Sequence, residues 1–119
     1  MPLGARERQC PSSVVVICEP TMSAFAYVKQ YFSSDGISQF PDVYREHKQR
    51  AARYDGFVSL RRLLPLAESS PNEVVTLLEF SNKELMLRWR ASDDHKWVAD
   101  QYGQWWLKPP EMLLYSSEE

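Results

Sequence analysis

The fold is decided by a stretch that reads EVVTLLEF at residues 73–80. In an extended chain both of its faces are largely apolar, with Val74-Thr76-Leu78-Phe80 on one and Val75-Leu77 on the other. A strand of this kind belongs to a sheet that is covered on both sides. The helices of a 119-residue chain can cover one face only, and each apolar side chain left in water forgoes about 1.5–3 kcal/mol. The pattern predicts that the other face meets a second copy in a twofold dimer, or that it forms a ligand groove in a monomer.

Three further segments have strand patterns, because aromatic and β-branched residues are dense in them. They are residues 24–32, 57–64 and 111–116. The first is followed by the turn-forming residues SSDG at 33–36, which are typical of a break.

An amphipathic helix is predicted between the first two strands. Its apolar stripe recurs at spacings of 4, 3, 4 and 3 residues and consists of Phe40, Tyr44, His47, Ala51 and Tyr54. Ser38 is the expected N-cap, which places Pro41 in the first turn, where its missing N–H is harmless. Gly56 is expected to end the helix, since glycine adopts a left-handed conformation without strain.

Two short helices are predicted after residue 80. Ser81 and Glu84 have the spacing of a capping box, and the helix that follows buries Trp89. Ser92 is the expected N-cap of the next helix, which Pro109 and Pro110 stop. The predicted order is strand, helix, strand, strand, helix, helix, strand.

Residues 1–21 read differently from the rest. They hold both cysteines and one short β-branched run, from Val14 to Ile17. Two interpretations stay open: an appended leader that precedes a start at Met22, or an extra edge strand at residues 13–18.

Composition argues against several classes of function. Fourteen Lys and Arg against sixteen Asp and Glu leave a net charge of −2, and these charges are scattered, whereas nucleic-acid binding needs a clustered basic surface. No apolar run approaches the roughly 18 residues of a membrane span. The four glycines are well separated, which disfavours a phosphate-binding loop. We therefore expect a cytoplasmic protein that binds neither nucleic acid nor a membrane.

No metal site is expected either. Asp93, Asp94 and His95 are consecutive, and consecutive residues on a helix point in different directions, so they cannot converge on one ion.

Two features could carry chemistry. His47 lies on the apolar helix stripe, which is typical either of a hydrogen-bonded core residue or of a general acid or base that faces the sheet. In addition, eighteen residues hold the four tryptophans Trp89, Trp97, Trp105 and Trp106. Most must pack in the core, but several aromatic side chains around a pocket suit a flat, conjugated ligand. Trp89 is the best pocket candidate, because its helix directly follows the end of a strand.

At this point the sequence resembles a known family. The matching segments are YDGF at residues 54–57, EFSNKEL at 79–85, WRAS at 89–92 and His95. Together they resemble the antibiotic biosynthesis monooxygenase (ABM) family over roughly residues 22–116, which leaves 117–119 as a tail. The resemblance implies an α+β fold: a ferredoxin-like βαββαβ unit with an antiparallel sheet, two of which pack as a homodimer in a dimeric α/β-barrel.

The resemblance also implies an activity. Members of the family typically oxidise phenolic or anthrone-like polyketides, or quinols, with O₂ as co-substrate and no metal or flavin cofactor. A related branch opens haem, but its histidine ligand corresponds here to Ala99, and its first-strand asparagine falls near Lys29 or Gln30, so haem degradation is disfavoured. The partners implied are a second copy and a small aromatic molecule.

The candidate site residues follow from these arguments. Trp89 matches the tryptophan that lines the family's pocket, and His47 is the candidate proton acceptor. The candidate substrate-binding residues are Tyr27, Lys29, Arg61, Phe80 and Trp97, with Arg62 as an alternative to Lys29 or Arg61 for stabilising a phenolate. The competing hypothesis is a non-catalytic dimeric barrel that binds a small aromatic ligand, because one fold hosts many functions.

Overall fold

The computed structural model describes residues 22–118, so the leader or edge strand predicted within residues 1–21 lies outside the described residues. Seven elements follow one another along the chain: β1 (Ala24–Tyr31), α1 (Ser34–Ala51), β2 (Phe57–Leu63), β3 (Glu73–Phe80), α2 (Lys83–Arg90), α3 (Asp93–Gly103) and β4 (Glu111–Ser116). This is the predicted order.

The four strands form one antiparallel sheet in the order β2-β3-β1-β4. Helix α1 connects β1 to β2, and the pair α2–α3 connects β3 to β4. This is the expected ferredoxin-like α+β fold.

The sheet has two different faces. On the face that the helices cover, here called the helix face, Ala26 pairs with the buried Leu78, which in turn pairs with Leu60. On the opposite, outer face the next row across the strands consists of Arg61, Leu77, Tyr27 and Leu113. Within residues 22–118 no helix lies on the outer face, although its residues are largely apolar. Both faces of β3 are therefore apolar, as its sequence indicated.

The start of α1 differs from the prediction. The N-cap is Ser33 rather than Ser38, and its side-chain oxygen accepts a hydrogen bond from Gly36 N at 3.2 Å. Pro41 consequently lies inside the helix, on its exposed side. The turn-like residues 33–36 start a helix because Gly36 packs against Trp105: a Cβ at Gly36 would lie 2.5 Å from the Trp105 Cβ.

Two other capping predictions were wrong. Helix α1 ends at Ala51, and Gly56 lies in the turn beyond it with φ of +87°, where a left-handed residue reverses the chain into β2. Helix α2 is capped by Asn82, whose side chain accepts from Leu85 N at 2.9 Å, rather than by Ser81. Asparagine is as good an N-cap as serine, so the register of the chain after β3 decides between them. The predicted cap of α3 is confirmed, since Ser92 accepts from His95 N at 3.1 Å.

The core lies between the helix face and the helices. Its largest fully buried side chains are Trp89, Phe32, Phe80 and Val74. Over the part of the chain that the structure covers, none of the helices has the length and apolar character required to cross a membrane.

Candidate functional site

A cavity of about 80 Å³ lies between the helix face of the sheet and the three helices. All four strands and all three helices contribute to its walls, together with the segment that joins α3 to β4. The lining is mainly apolar, but it includes three buried polar side chains, those of Gln30, His47 and Thr76. Buried polar groups are normally hydrogen-bonded, so the partners of these three groups define the chemistry of the cavity.

His47 reaches the cavity from the middle of α1. Its ring is stacked on that of Trp89, with 5.9 Å between centroids and 13° between planes. Burial, with a smaller contribution from His95, lowers the pKa of His47 to about 3. The imidazole is therefore neutral at physiological pH and carries its proton on one nitrogen only.

The hydrogen bond between His47 and Tyr102 determines which nitrogen that is. His47 Nδ1 lies 3.0 Å from Tyr102 Oη, and burial raises the pKa of Tyr102 above its ordinary value, so the phenol stays protonated. No other acceptor for this hydroxyl is found among residues 22–118. A buried O–H without an acceptor costs about 1–3 kcal/mol, so we assign Tyr102 as the donor to Nδ1 and the ring proton to Nε2. At neutral pH this arrangement favours hydrogen-bond donation by His47 over the proton acceptance that the sequence indicated.

Trp89 forms one wall of the cavity from the last turn of α2. It is fully buried, and the rings of Tyr54 and His95 meet it edge-on at 5.1 and 5.6 Å. Its indole N–H is the one fully buried side-chain nitrogen or oxygen that has no partner within the described part of the chain. Such an unsatisfied donor costs about 1–3 kcal/mol, which a nearby acceptor atom would recover.

An ionic cluster outside the cavity holds Trp89 in position. Asp94 accepts from Tyr54 Oη at 2.8 Å and from Arg50 Nη1 at 2.7 Å, and these two bonds lower the pKa of Asp94 and join α1 to α3. Because Tyr54 contacts the indole directly, this cluster fixes the angle at which Trp89 borders the cavity.

Gln30 and Thr76 face the cavity from the centre of the sheet. Gln30 Oε1 accepts a hydrogen bond of 2.9 Å from Trp106 Nε1, which leaves the Gln30 amide N–H group free. Within residues 22–118, neither that amide nitrogen nor the Thr76 hydroxyl has a protein partner, and neither is fully buried. Together with His47 Nε2, they are hydrogen-bonding atoms available to a ligand.

The charge of the cavity wall has one sign. Arg90 and His95 line the cavity, and the described lining contains no Asp or Glu. A wall with hydrogen-bond donors and a cation, but without carboxylates, favours a ligand that carries acceptor oxygens or negative charge.

Of the seven predicted site residues, His47 and Trp89 line this cavity, whereas Tyr27 and Lys29 meet in a different pocket. Tyr27, Lys29 and Arg61 lie on the outer face, so the sheet separates them from the cavity. The two others lie on the helix side but do not line the cavity: they are Phe80, which is fully buried in the core, and Trp97, whose ring lies 4.0 Å from the Arg50 guanidinium. That these five residues bind substrate stays a prediction, but they do not share a site with His47.

The fold can now be compared with known proteins. No protein-family model matches the sequence, and no curated protein matches it. Among solved structures, the chain is similar to SnoaB from Streptomyces nogalater, described as a cofactor-independent oxygenase, with a TM-score of 0.68, 16% identity, and 83% of this chain and 95% of that chain covered. It is also similar to a protein from Nitrosomonas europaea described as an antibiotic biosynthesis monooxygenase, with a TM-score of 0.71, 13% identity, and 82% of this chain and 91% of that chain covered.

The chain has the fold of the antibiotic biosynthesis monooxygenases. The resemblance that its motifs indicated is confirmed at the level of fold, and these identities speak to the fold alone. A conserved protein from Methanosarcina mazei Go1 is similar to the same extent, with a TM-score of 0.71, 14% identity, and 81% of this chain and 93% of that chain covered.

Within this ABM-like fold, the cavity has three polar residues that sequence reasoning did not identify as site residues: Gln30, Thr76 and Tyr102. Trp106 also lines the cavity, and the sequence indicated it only as one of four clustered tryptophans. One signal was present: Gln30 shares a strand face with Ala24, Ala26 and Val28, where an amide is out of place. The pairing of Tyr102 with His47 had no signal, because 55 residues separate them. The described residues contain no group of three or more His, Cys, Asp or Glu side chains arranged to hold a metal ion.

Proposed function

We propose that this protein is a monooxygenase that oxidises a small aromatic hydroxylated substrate, of the quinol or polyketide type, with O₂ and without a metal or flavin cofactor. The observation that carries the proposal is the cavity itself, in which an aromatic wall faces hydrogen-bond donors and a cation but no carboxylate. The likeness in fold to SnoaB, described as a cofactor-independent oxygenase, supports it.

The chemistry needs no other reductant. When a ring C–H of a quinol becomes C–OH and the ring is oxidised to the quinone, the substrate loses four electrons, and O₂ accepts all four. One oxygen atom enters the product and the other leaves as water, so C₆H₆O₂ and O₂ give C₆H₄O₃ and H₂O. The reaction starts from the substrate anion, since the electron-rich anion is what reduces oxygen. The phenolic proton passes to solvent water as the substrate binds, and a proton is taken up again when the product water forms.

The protein's part is to hold that anion and to keep water away. His47 Nε2–H and the Gln30 amide donate to substrate oxygens, and Arg90 favours the anionic form by its charge. Trp89 forms an aromatic wall beside the substrate, and its indole N–H gains an acceptor from a substrate oxygen that lies in the plane of the indole ring. The apolar remainder of the lining excludes water from the intermediate.

The test is oxygen uptake by the purified protein with a panel of hydroquinones and hydroxyanthrones. Trp89→Phe removes the indole N–H while it keeps an aromatic wall, and Trp105→Phe is the matched control because Trp105 does not line the cavity and is not a predicted site residue. We expect turnover above the uncatalysed rate with at least one substrate of the panel, a loss of about 100-fold or more in Trp89→Phe, as for one lost donor to a developing anion, and no change in Trp105→Phe. Equal turnover in both variants would refute the assignment of the site.

A second candidate function is favoured by one observation: His47, the one buried imidazole among residues 22–118, is held by Tyr102 with its N–H toward the cavity, so it offers a ligand there no proton acceptor. In this alternative the protein binds a small aromatic ligand and catalyses nothing. Ligand binding without oxygen uptake across the whole panel would support it over the monooxygenase.

We also propose that two copies form a homodimer through their outer faces. Tyr27, Leu77 and Leu113 form an apolar row across the centre of that face, and Leu113 is 48% exposed. Burying this apolar face against the same face of a second copy removes it from water, and the hydrophobic effect therefore stabilises the dimer. We expect sedimentation as a dimer at micromolar concentration and a monomer in Leu77→Lys. A wild-type protein that sediments as a monomer would contradict this proposal.

A further inference from the structure

The cavity is small for the ligands that its lining suits. Its volume is about 80 Å³, whereas an engineered apolar cavity that admits benzene measures about 150 Å³. One aromatic ring therefore enters only if the cavity walls move outward slightly. A ligand with two or three fused rings enters only if a whole side chain of the lining is displaced.

Among the residues that line the cavity, Trp106 is held in place by both its backbone and its side chain. Its backbone forms a bridge with Phe32 at the end of β1, and the next residue, Leu107, donates to Tyr31 O at 2.8 Å. Its indole Nε1 donates to Gln30 Oε1 at 2.9 Å, and Gln30 is only 3% exposed. The indole is thus fixed at both ends of the side chain, unlike a wall residue that only fills space.

The other large walls have different roles. Trp89 is enclosed by three rings and carries the unsatisfied donor, so it belongs to the binding machinery. Met112 borders the cavity from the edge strand and is 40% exposed, and a methionine side chain adapts to its neighbours at little cost. Trp106 is therefore the rigid wall with no other task.

We propose that Trp106, locked by Gln30, is a specificity-determining residue that limits the ligand of this cavity to a single aromatic ring. An indole is larger than a benzene ring, so its removal opens space for at least one further ring. This inference rests on the proposed function for the class of ligand, and within that class it selects a single-ring quinol over a fused-ring polyketide. It concerns size selection and does not require that the ligand be oxidised.

The test is anaerobic binding, which separates size selection from oxidation. The probes are hydroquinone, 1,4-dihydroxynaphthalene and 1,8-dihydroxyanthrone, with one, two and three rings, measured by isothermal titration calorimetry. The proteins are the wild type, Trp106→Ala, Gln30→Leu and the matched control Trp105→Ala, which removes an indole outside the cavity and keeps the Cβ that packs against Gly36.

We expect the wild type and the control to bind the single-ring probe at least tenfold more tightly than the three-ring probe. Trp106→Ala should reverse or abolish this preference for the single-ring probe. Gln30→Leu should weaken the preference, because an indole without its hydrogen bond to Gln30 can rotate out of the cavity. A wild type that binds the three probes equally, or that binds none, overturns the proposal, as does a Trp106→Ala variant with the wild-type order. Should Trp106→Ala fail to fold, Trp106→Leu and Gln30→Leu carry the same comparison, and an unchanged order in both overturns the proposal. Size-selective binding without oxygen uptake would refute the proposed monooxygenase activity and would support the proposed role of Trp106.

Discussion

The buried, neutral His47 makes the stability of this protein sensitive to mild acid. Burial lowers its pKa to about 3 in the folded protein, from 6.5 in the unfolded chain. Between these two values the unfolded chain binds a proton that the folded protein does not, so the free energy of unfolding falls as the pH falls below 6.5. Well below pH 6.5 the slope approaches about 1.4 kcal/mol per pH unit, and from pH 7 to pH 5 the loss amounts to about 2 kcal/mol.

The perturbation that isolates this effect is His47→Gln. The Gln amide oxygen can still accept the Tyr102 hydroxyl proton, so the variant removes the titrating group and leaves the buried donor with an acceptor. His95→Gln is the matched variant, because the chain holds two histidines and His95 is the less buried one, with a pKa that burial and Arg90 lower in the same direction.

The assay is urea unfolding at pH 7, 6 and 5, with the free energy of unfolding compared at each pH. Contributions from the carboxylates are common to all three proteins and cancel in the comparison. We expect His47→Gln to lose about 2 kcal/mol less than the wild type between pH 7 and pH 5, and His95→Gln to differ less. If His47→Gln loses as much stability as the wild type over this range, the ring is not held neutral by burial and the reasoning fails.

Three further predictions concern single contacts. Gly56→Ala should lower the free energy of unfolding by about 1–3 kcal/mol, measured in urea, because φ is +87° and the new Cβ would lie 2.5 Å from a side chain of α2; an unchanged midpoint would contradict this. Asn82→Ala should cost about 1 kcal/mol, while Ser81→Ala costs less, and the reverse order would restore the cap predicted from sequence. Tyr102→Phe removes the donor to His47 Nδ1, so long-range ¹H–¹⁵N NMR should report the proton on Nε2 in the wild type and a mixture of tautomers in the variant; an Nδ1-protonated ring in the wild type would refute our assignment.

The strands were predictable because their signal is local. Residues 73–80 alternate between two apolar faces, and the structure has a strand over that same range. The caps were less predictable, since Ser33 and Ser38, or Ser81 and Asn82, are equally good side chains for the task. For α1 the packing of Gly36 against Trp105, across 69 residues of chain, selects Ser33, and no local pattern contains that contact. For α2 the register of the chain after β3 selects Asn82.

The residues of the candidate site were also predictable only where the signal is local. His47 and Trp89 were identified from an apolar stripe and a motif, and both line the cavity. Lys29 and Arg61 were chosen by residue type, and the strand register places them on the far side of the sheet, while their neighbours Gln30 and Leu60 face the cavity. A shift of one residue along a strand changes the face, and only the assembled sheet shows which residue points inward.

By itself the sequence determined the order of the elements, the two apolar sides of β3 and the aromatic character of the interior, because these follow from periodicity and residue type along the chain. Only the tertiary structure decided that Tyr102 holds the His47 ring, that Gln30 locks Trp106, and that the cavity is about 80 Å³. The physical reason is that a hydrogen bond or a cavity depends on distances between residues far apart in the chain, and those distances exist only once the helices have packed on the sheet.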